Sequence, residues 1–301
     1  MDEITRLAEF RADTEPMTAH ARLRGRLQLA DAIAGTPPAR GGRRPTTRRV
    51  LVAAALTAAL TAGVVGTQIA GPGATESSAR AISALNLAAD ALADAPQPRP
   101  DQFVYMDVLH TSSGEKSGAV QWWFSVGGSE QGLVRTTSEN SLTLPPRETG
   151  PGLRLAPYSV LAALPTDPDE LLRRLEADPA VHESQIQQQV SREVAIWDLI
   201  RTIMDNGCPA PQQAALFRAA AKLPIISYSE EVTDALGRSG EAVGALVPRV
   251  GTVQLILDRN THAFLGERVV GEAGSESEGR VKSNSAVRTF AIVDRADQLP
   301  S

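Results

Sequence analysis

Residues 252–270 read TVQLILDRNTHAFLGERVV. Thr252 to Asp258 is a run of aliphatic and β-branched residues, the composition of a strand. Arg259-Asn260-Thr261 supplies a turn, and His262 to Val270 returns as the partner strand, so the stretch is an antiparallel hairpin. The pattern repeats outward. Ile225 to Leu236 and Glu241 to Val247 flank a turn at Gly237-Arg238-Ser239-Gly240, and Pro248 cuts the second of them. Gly271 to Gly279 is a Ser/Glu-rich loop, and Ser285 to Val293 is the last strand. Short strands joined by tight turns make a meander.

Strands also open this part of the chain. Gln102 to Thr111 (QFVYMDVLHT), Ala119 to Val126 (AVQWWFSV) and Gly132 to Thr137 are strand-like, with turns at Ser112 to Gly118 and Gly127-Gly128. A helix precedes them over Ala74 to Asp94, with an apolar stripe of Ile82, Leu85, Ala89 and Leu92. Three helices lie between the two strand groups. Asp167-Pro168-Asp169-Glu170 is a start signal, with Asp167 as cap, proline in the first turn and Glu170 closing a capping-box-like pattern. A long helix is expected over Glu183 to Asn206, ended by Gly207, and a third over Ala210 to Lys222. Strands, then helices, then strands indicate an α+β fold: an antiparallel, curved β-sheet covered by helices.

Ahead of this domain, Val50 to Ala70 reads VLVAAALTAALTAGVVGTQIA, with no charged residue. At about 1.5 Å per residue such a helix spans about 30 Å, the thickness of a bilayer core. Arg40, Arg43, Arg44, Arg48 and Arg49 precede it without an intervening acid, and GPGATESS follows it. Arginines on one flank orient an anchor with its N-terminus in the cytoplasm. A cleaved signal peptide is the competing reading, but its n-region would run to nearly fifty residues.

The organisation expected is therefore a cytoplasmic helical segment (1–35), an Arg-rich linker (36–49), one transmembrane helix (50–70) and an extracytoplasmic α+β domain (74–301) in the plasma membrane. Charge supports two compartments. Residues 1–49 carry ten arginines and six acids, whereas 71–301 carry twenty basic and twenty-nine acidic residues. The 1–35 segment holds two short amphipathic helices broken at Thr14-Glu15-Pro16, too small for a core of their own.

Chemistry is sparse. His20, His110, His182 and His262 share no metal-ligand spacing, and Cys208 is the single cysteine, so neither a Cys-based zinc site nor an internal disulfide is available. Ser113-Gly114-Glu115-Lys116 matches S-x-x-K but falls in a turn rather than at a helix start. No phosphate loop, nucleophile elbow or H-E-x-x-H is present. No catalytic residue, cofactor or metal is expected, nor direct nucleic-acid binding. Trp122 and Phe124, two apart in a strand, share a face and are candidate ligand-facing residues; Trp123 points the other way.

The opening MDEITRLAEFRADTEP, the RRPTTRR-anchor junction, LLRRLEADP, DNGCPAPQQAALFRAAAKLP and VTDALGRSGEAVGAL followed by VQLILDRNTHAFLGERVV resemble a poorly characterised family of actinobacterial single-pass membrane proteins. That family is anti-sigma-factor-like in layout and often associated with extracytoplasmic-function sigma factors. The resemblance implies a signalling role and carries no catalytic residue. The zinc-binding H-x-x-x-C-x-x-C of a large anti-sigma group is absent. More loosely, a curved sheet under helices resembles envelope lipoprotein-carrier and periplasmic regulator domains. Two functions are expected from this: a non-enzymatic regulator whose residues 1–35 contact a cytoplasmic sigma factor, or an envelope module binding a lipid or other apolar ligand on a simple anchor.

Overall fold

Helix α1 (Pro72–Asp90) leads into a four-strand meander of β1 (Phe103–Ser112), β2 (Gly118–Ser125), β3 (Gly132–Thr136) and β4 (Ser141–Leu144). Five helices follow: α2 (Tyr158–Ala162), α3 (Pro168–Glu176), α4 (Pro179–Gln188), α5 (Arg192–Met204) and α6 (Ala210–Ala220). The chain closes with β5 (Ser227–Thr233), β6 (Ser239–Val247), β7 (Gly251–Leu257), β8 (Phe264–Val270) and β9 (Val281–Val293). This is a computed structural model, and it describes residues 72–112, 118–136, 141–144, 152–154 and 156–300. The expected membrane helix, its five arginines, the 1–35 segment and the Ser113–Lys116 turn lie outside the described residues. Among the described residues no helix is long and apolar enough to cross a membrane.

All nine strands form one antiparallel sheet in the order β4-β3-β2-β1-β9-β8-β7-β6-β5. Two meanders, each built from local hairpins, are joined where β1 pairs with β9, from Phe103 opposite Val293 to Ser112 opposite Ser283. The register of this ladder shifts between Asp107 and Val108, where Arg288 is the extra residue of a bulge. On its other side β9 pairs with β8 only from Val281 to Asn284. Beyond that fork, the Arg238 guanidinium donates to the carbonyls of Leu265 (3.1 Å) and Val287 (2.9 Å). The buried Asp234 carboxylate accepts from Arg238 Nε and from the backbone N–H groups of Leu236 and Arg238, which fixes the turn that carries the arginine.

The expected α+β architecture and the meanders are observed, with differences that have local causes. The helix expected over Glu183 to Asn206 is two helices. Gln189 takes a left-handed conformation (φ 54°) that ends α4, and the Ser191 hydroxyl then accepts from Val194 N–H to cap α5. Asp178 caps α4 in the same way, with Pro179 in its first turn. Ile186, part of the expected stripe, is accordingly exposed. In α1 the buried face is Ala81, Ala84, Leu85, Ala88 and Ala89, and Ile82 points outward, because the alanine-rich face lets α1 pack closely on α6 and β5. Strand β4 was not expected from sequence. The strand expected over Ile225 to Leu236 ends at Thr233, since Asp234 begins the turn. The start of α3 is as expected, with Asp167 accepting from the N–H groups of Asp169 and Glu170.

The helices cover one face of the sheet. Their main core joins Trp197, Leu199, Ile200, Ile203, Leu216 and Phe217 to Val243, Val253, Leu255 and Leu257 of β6 and β7. Burying each such large side chain is worth roughly 1.5–3 kcal/mol. Over β1 and β2 the same face is covered more thinly, with Tyr158 of α2 packing on Val104, Met106, Val108, Phe124 and Val126. On the opposite face Trp123 is fully buried among Phe103, Tyr105 and Val293, its indole N–H donating to the Gln298 carbonyl at 2.8 Å. Arg135 stacks over its ring at 5.2 Å.

Gly207 ends the α5 segment at φ +74°, and a Cβ there would lie 2.9 Å from Phe124 Cδ2. Gly237 has a similar φ of +78° with nothing within 4 Å. Gly237→Ala should lose only the backbone strain, of order 1–3 kcal/mol, whereas Gly207→Ala should lose that strain and the clash with Phe124 as well. Chemical denaturation of the two variants measures the difference; equal losses would show that the Gly207–Phe124 approach is not tight.

Candidate functional site

Between α5 and the centre of the sheet lies a cleft of about 380 Å³. It exists because the helical layer is thick over β5 to β8 and thin over β1 and β2. Its floor is apolar: Met106 and Val108 of β1, Trp122 and Phe124 of β2, Phe264 of β8 and Val287 of β9. Alternation along β2 places Trp122 and Phe124 on this face, where their rings stack at 5.7 Å and 10°. Both residues singled out from sequence therefore stand together in the cleft. The five arginines singled out for membrane orientation lie outside the described residues.

The polar wall was not legible from sequence. Arg201, Asp205 and Asn206 at the C-terminal end of α5 face Glu267 of β8. Arg201 Nη1 lies 3.0 Å from Glu267 Oε2, its Nη2 lies 2.9 Å from Asp198 Oδ1, and Asp205 Oδ2 is 3.6 Å from Nη1. Arg154 reaches Asp198 at 3.3 Å and donates to the Ser184 hydroxyl at 2.9 Å. Asp198, Arg201 and Asp205 sit three and four apart, so they share one helix face. That spacing was visible in sequence, but the partner on β8 comes 66 residues after Arg201.

Three carboxylates compete for one guanidinium. Burial opposes the Arg201 charge, but Glu267, Asp205 and Asp198 outweigh it and hold Arg201 protonated. Glu267 is mostly buried, and burial, followed by the like charge of Asp205, pushes its pKa up to about 8 against the pull of Arg201. Its Oε1 has no hydrogen-bond partner, nor does Arg201 Nε. Among the described residues no three His, Cys, Asp or Glu side chains are placed to hold a metal ion. Cys208 is buried beside the cleft-lining Asn206, and burial pushes its thiol up, away from the thiolate form. His262 stands 3.9 Å from Glu241, remote in sequence from the other histidines.

No protein-family description and no curated protein sequence matches the chain. Among solved structures, the crystal structure of MucB in complex with MucA(peri) matches with a TM-score of 0.27 and 14% identity over 74% of this chain and 59% of that one. The complex structure of Pseudomonas aeruginosa MucA/MucB gives a TM-score of 0.26 at 14% identity, and that of MucB alone 0.27 at 12%. The chain spans about three-fifths of the length of these solved chains. None of these matches assigns it to a family, actinobacterial or otherwise.

The unfolded chain releases the Glu267 proton near the ordinary value of 4.5 and the folded chain near 8. Between those values the folded state binds more protons, so stability should fall as pH rises across that window. Glu267→Gln keeps the shape and the bond from Arg201 but cannot ionise. Melting temperatures measured from pH 5 to 8.5 should decline in the parent chain and decline less in the variant. Parallel curves would remove Glu267 from the pH dependence.

Proposed function

We propose that this chain is a non-enzymatic, membrane-anchored receptor of the cell envelope whose folded domain binds an apolar ligand in the cleft and whose cytoplasmic segment acts on a sigma factor. The observation that carries the reading is the cleft itself, a cavity of about 380 Å³ with an aromatic and aliphatic floor and one polar wall. Such a shape is that of a ligand site: apolar area for affinity and few polar groups for orientation. Trp122 and Phe124 would be the ligand-facing residues. The uncharged 50–70 stretch behind its arginines supports an anchor with the N-terminus in the cytoplasm and the α+β domain outside. Two short amphipathic helices without a core of their own support a partner-binding role for residues 1–35.

The second reading keeps the cleft and drops the signalling: an apolar-ligand-binding module on a simple anchor. The two separate at the tail. Affinity purification of the tagged full chain from membranes should recover a sigma factor, and deletion of residues 1–35 should lose it. A full chain that never retains a sigma factor removes the regulator reading and leaves the binding module. In both readings, organic extraction of the purified full chain should release a bound amphiphile, and Trp122→Ala together with Phe124→Ala should deplete it.

A further inference from the structure

We propose that the cleft is built for a ligand with a cationic, amine-type head group on an apolar body, the ammonium seated against Glu267 and Asp205. This rests on the cleft being a ligand site and adds the charge of its head group. The floor supplies no charge, so selectivity lies in the wall. There, Arg201 and Arg154 face Asp198, Asp205 and Glu267, which leaves one negative charge when all are ionised. Arg268 also borders the cleft, but its guanidinium lies on the far side of the sheet, where Nε donates to Gln254. It does not offset the wall.

Hydrogen bonding points the same way. Arg201 spends its Nη groups on three carboxylates, and Glu267 Oε1 is still without a donor. The Asp205 side chain is about half exposed, at 47%, and borders the cleft. The unmet demand in this wall is thus for donors and positive charge. An ammonium brings three donors and no acceptor. A carboxylate or phosphate head would meet Asp205 and Glu267, and would find Arg201 already engaged. A hydroxyl head would donate one bond but leave the excess charge in a partly desolvated site, where charge interactions weigh more than in water.

Octylamine, octanoate and octanol share a tail and differ in head-group charge. The experiment is calorimetric titration of each into the full-length chain in phosphatidylcholine nanodiscs at pH 7, with empty nanodiscs as the blank. Hydrogen bonds to charged groups are worth roughly 1.5–3 kcal/mol, so octylamine should bind about tenfold or more tightly than the other two. Glu267→Gln, and separately the half-exposed Asp205→Asn, should shrink that ratio. Octanoate or octanol binding as tightly as octylamine overturns the head-group assignment while the cleft remains a ligand site. A ratio unchanged in both variants overturns the seating. No binding by any of the three overturns both the assignment and the ligand-site reading beneath it.

Discussion

The ladder between β1 and β9 is the constraint on which the rest of the molecule depends. Each meander is local, held by hairpins whose partners are close in sequence. Neither would be a nine-strand sheet without the pairing of Phe103–Ser112 with Ser283–Val293. The loop-closure entropy of bringing such distant segments together is the cost of this seam. Ten residues of paired backbone and a buried cluster on each face offset it. The seam also fixes the cleft, because its floor takes side chains from β1, β2, β8 and β9, strands drawn from both ends of the domain.

Legibility in the sequence followed the range of the interaction. Hairpins, the Asp167 cap and the shared face of Trp122 and Phe124 depend on residues a few positions apart, and they were readable. The break at Gln189 was not, because a left-handed helix end is ordinarily marked by glycine, and here a glutamine adopts it. The apolar period of Val190 and Val194 ran across the break and imitated one helix. The β1–β9 seam and the Arg201–Glu267 pair were beyond reach, since nothing local specifies either partner. The half of the candidate site that alternation dictates was visible; the charged half, which tertiary packing assembles, was not.

The ion cluster between α5 and β8 is costly to build. Removing charges from water penalises every member, and one guanidinium cannot fully satisfy three carboxylates. A purely structural tie between helix and sheet would be cheaper as an apolar contact, as the neighbouring Trp197 and Ile200 demonstrate. The cluster also lies where the helical cover thins, beside the cleft rather than beneath the main core. Polar demand is therefore concentrated at the one place on this face where space is left.

The chain has three tryptophans, and the fold distributes them among three layers. Trp197 is sealed in the helical core, Trp123 is sealed on the opposite face of the sheet, and the half-buried Trp122 forms part of the cleft floor. Their emission is thus spatially sorted. Trp122 is the long-wavelength component, quenchable by small solutes and sensitive to whatever displaces water above it. Trp123 and Trp197 emit to the blue and stay shielded until the layers separate. A quenching experiment on the unlabelled protein thereby distinguishes occupation of the site from loss of the fold.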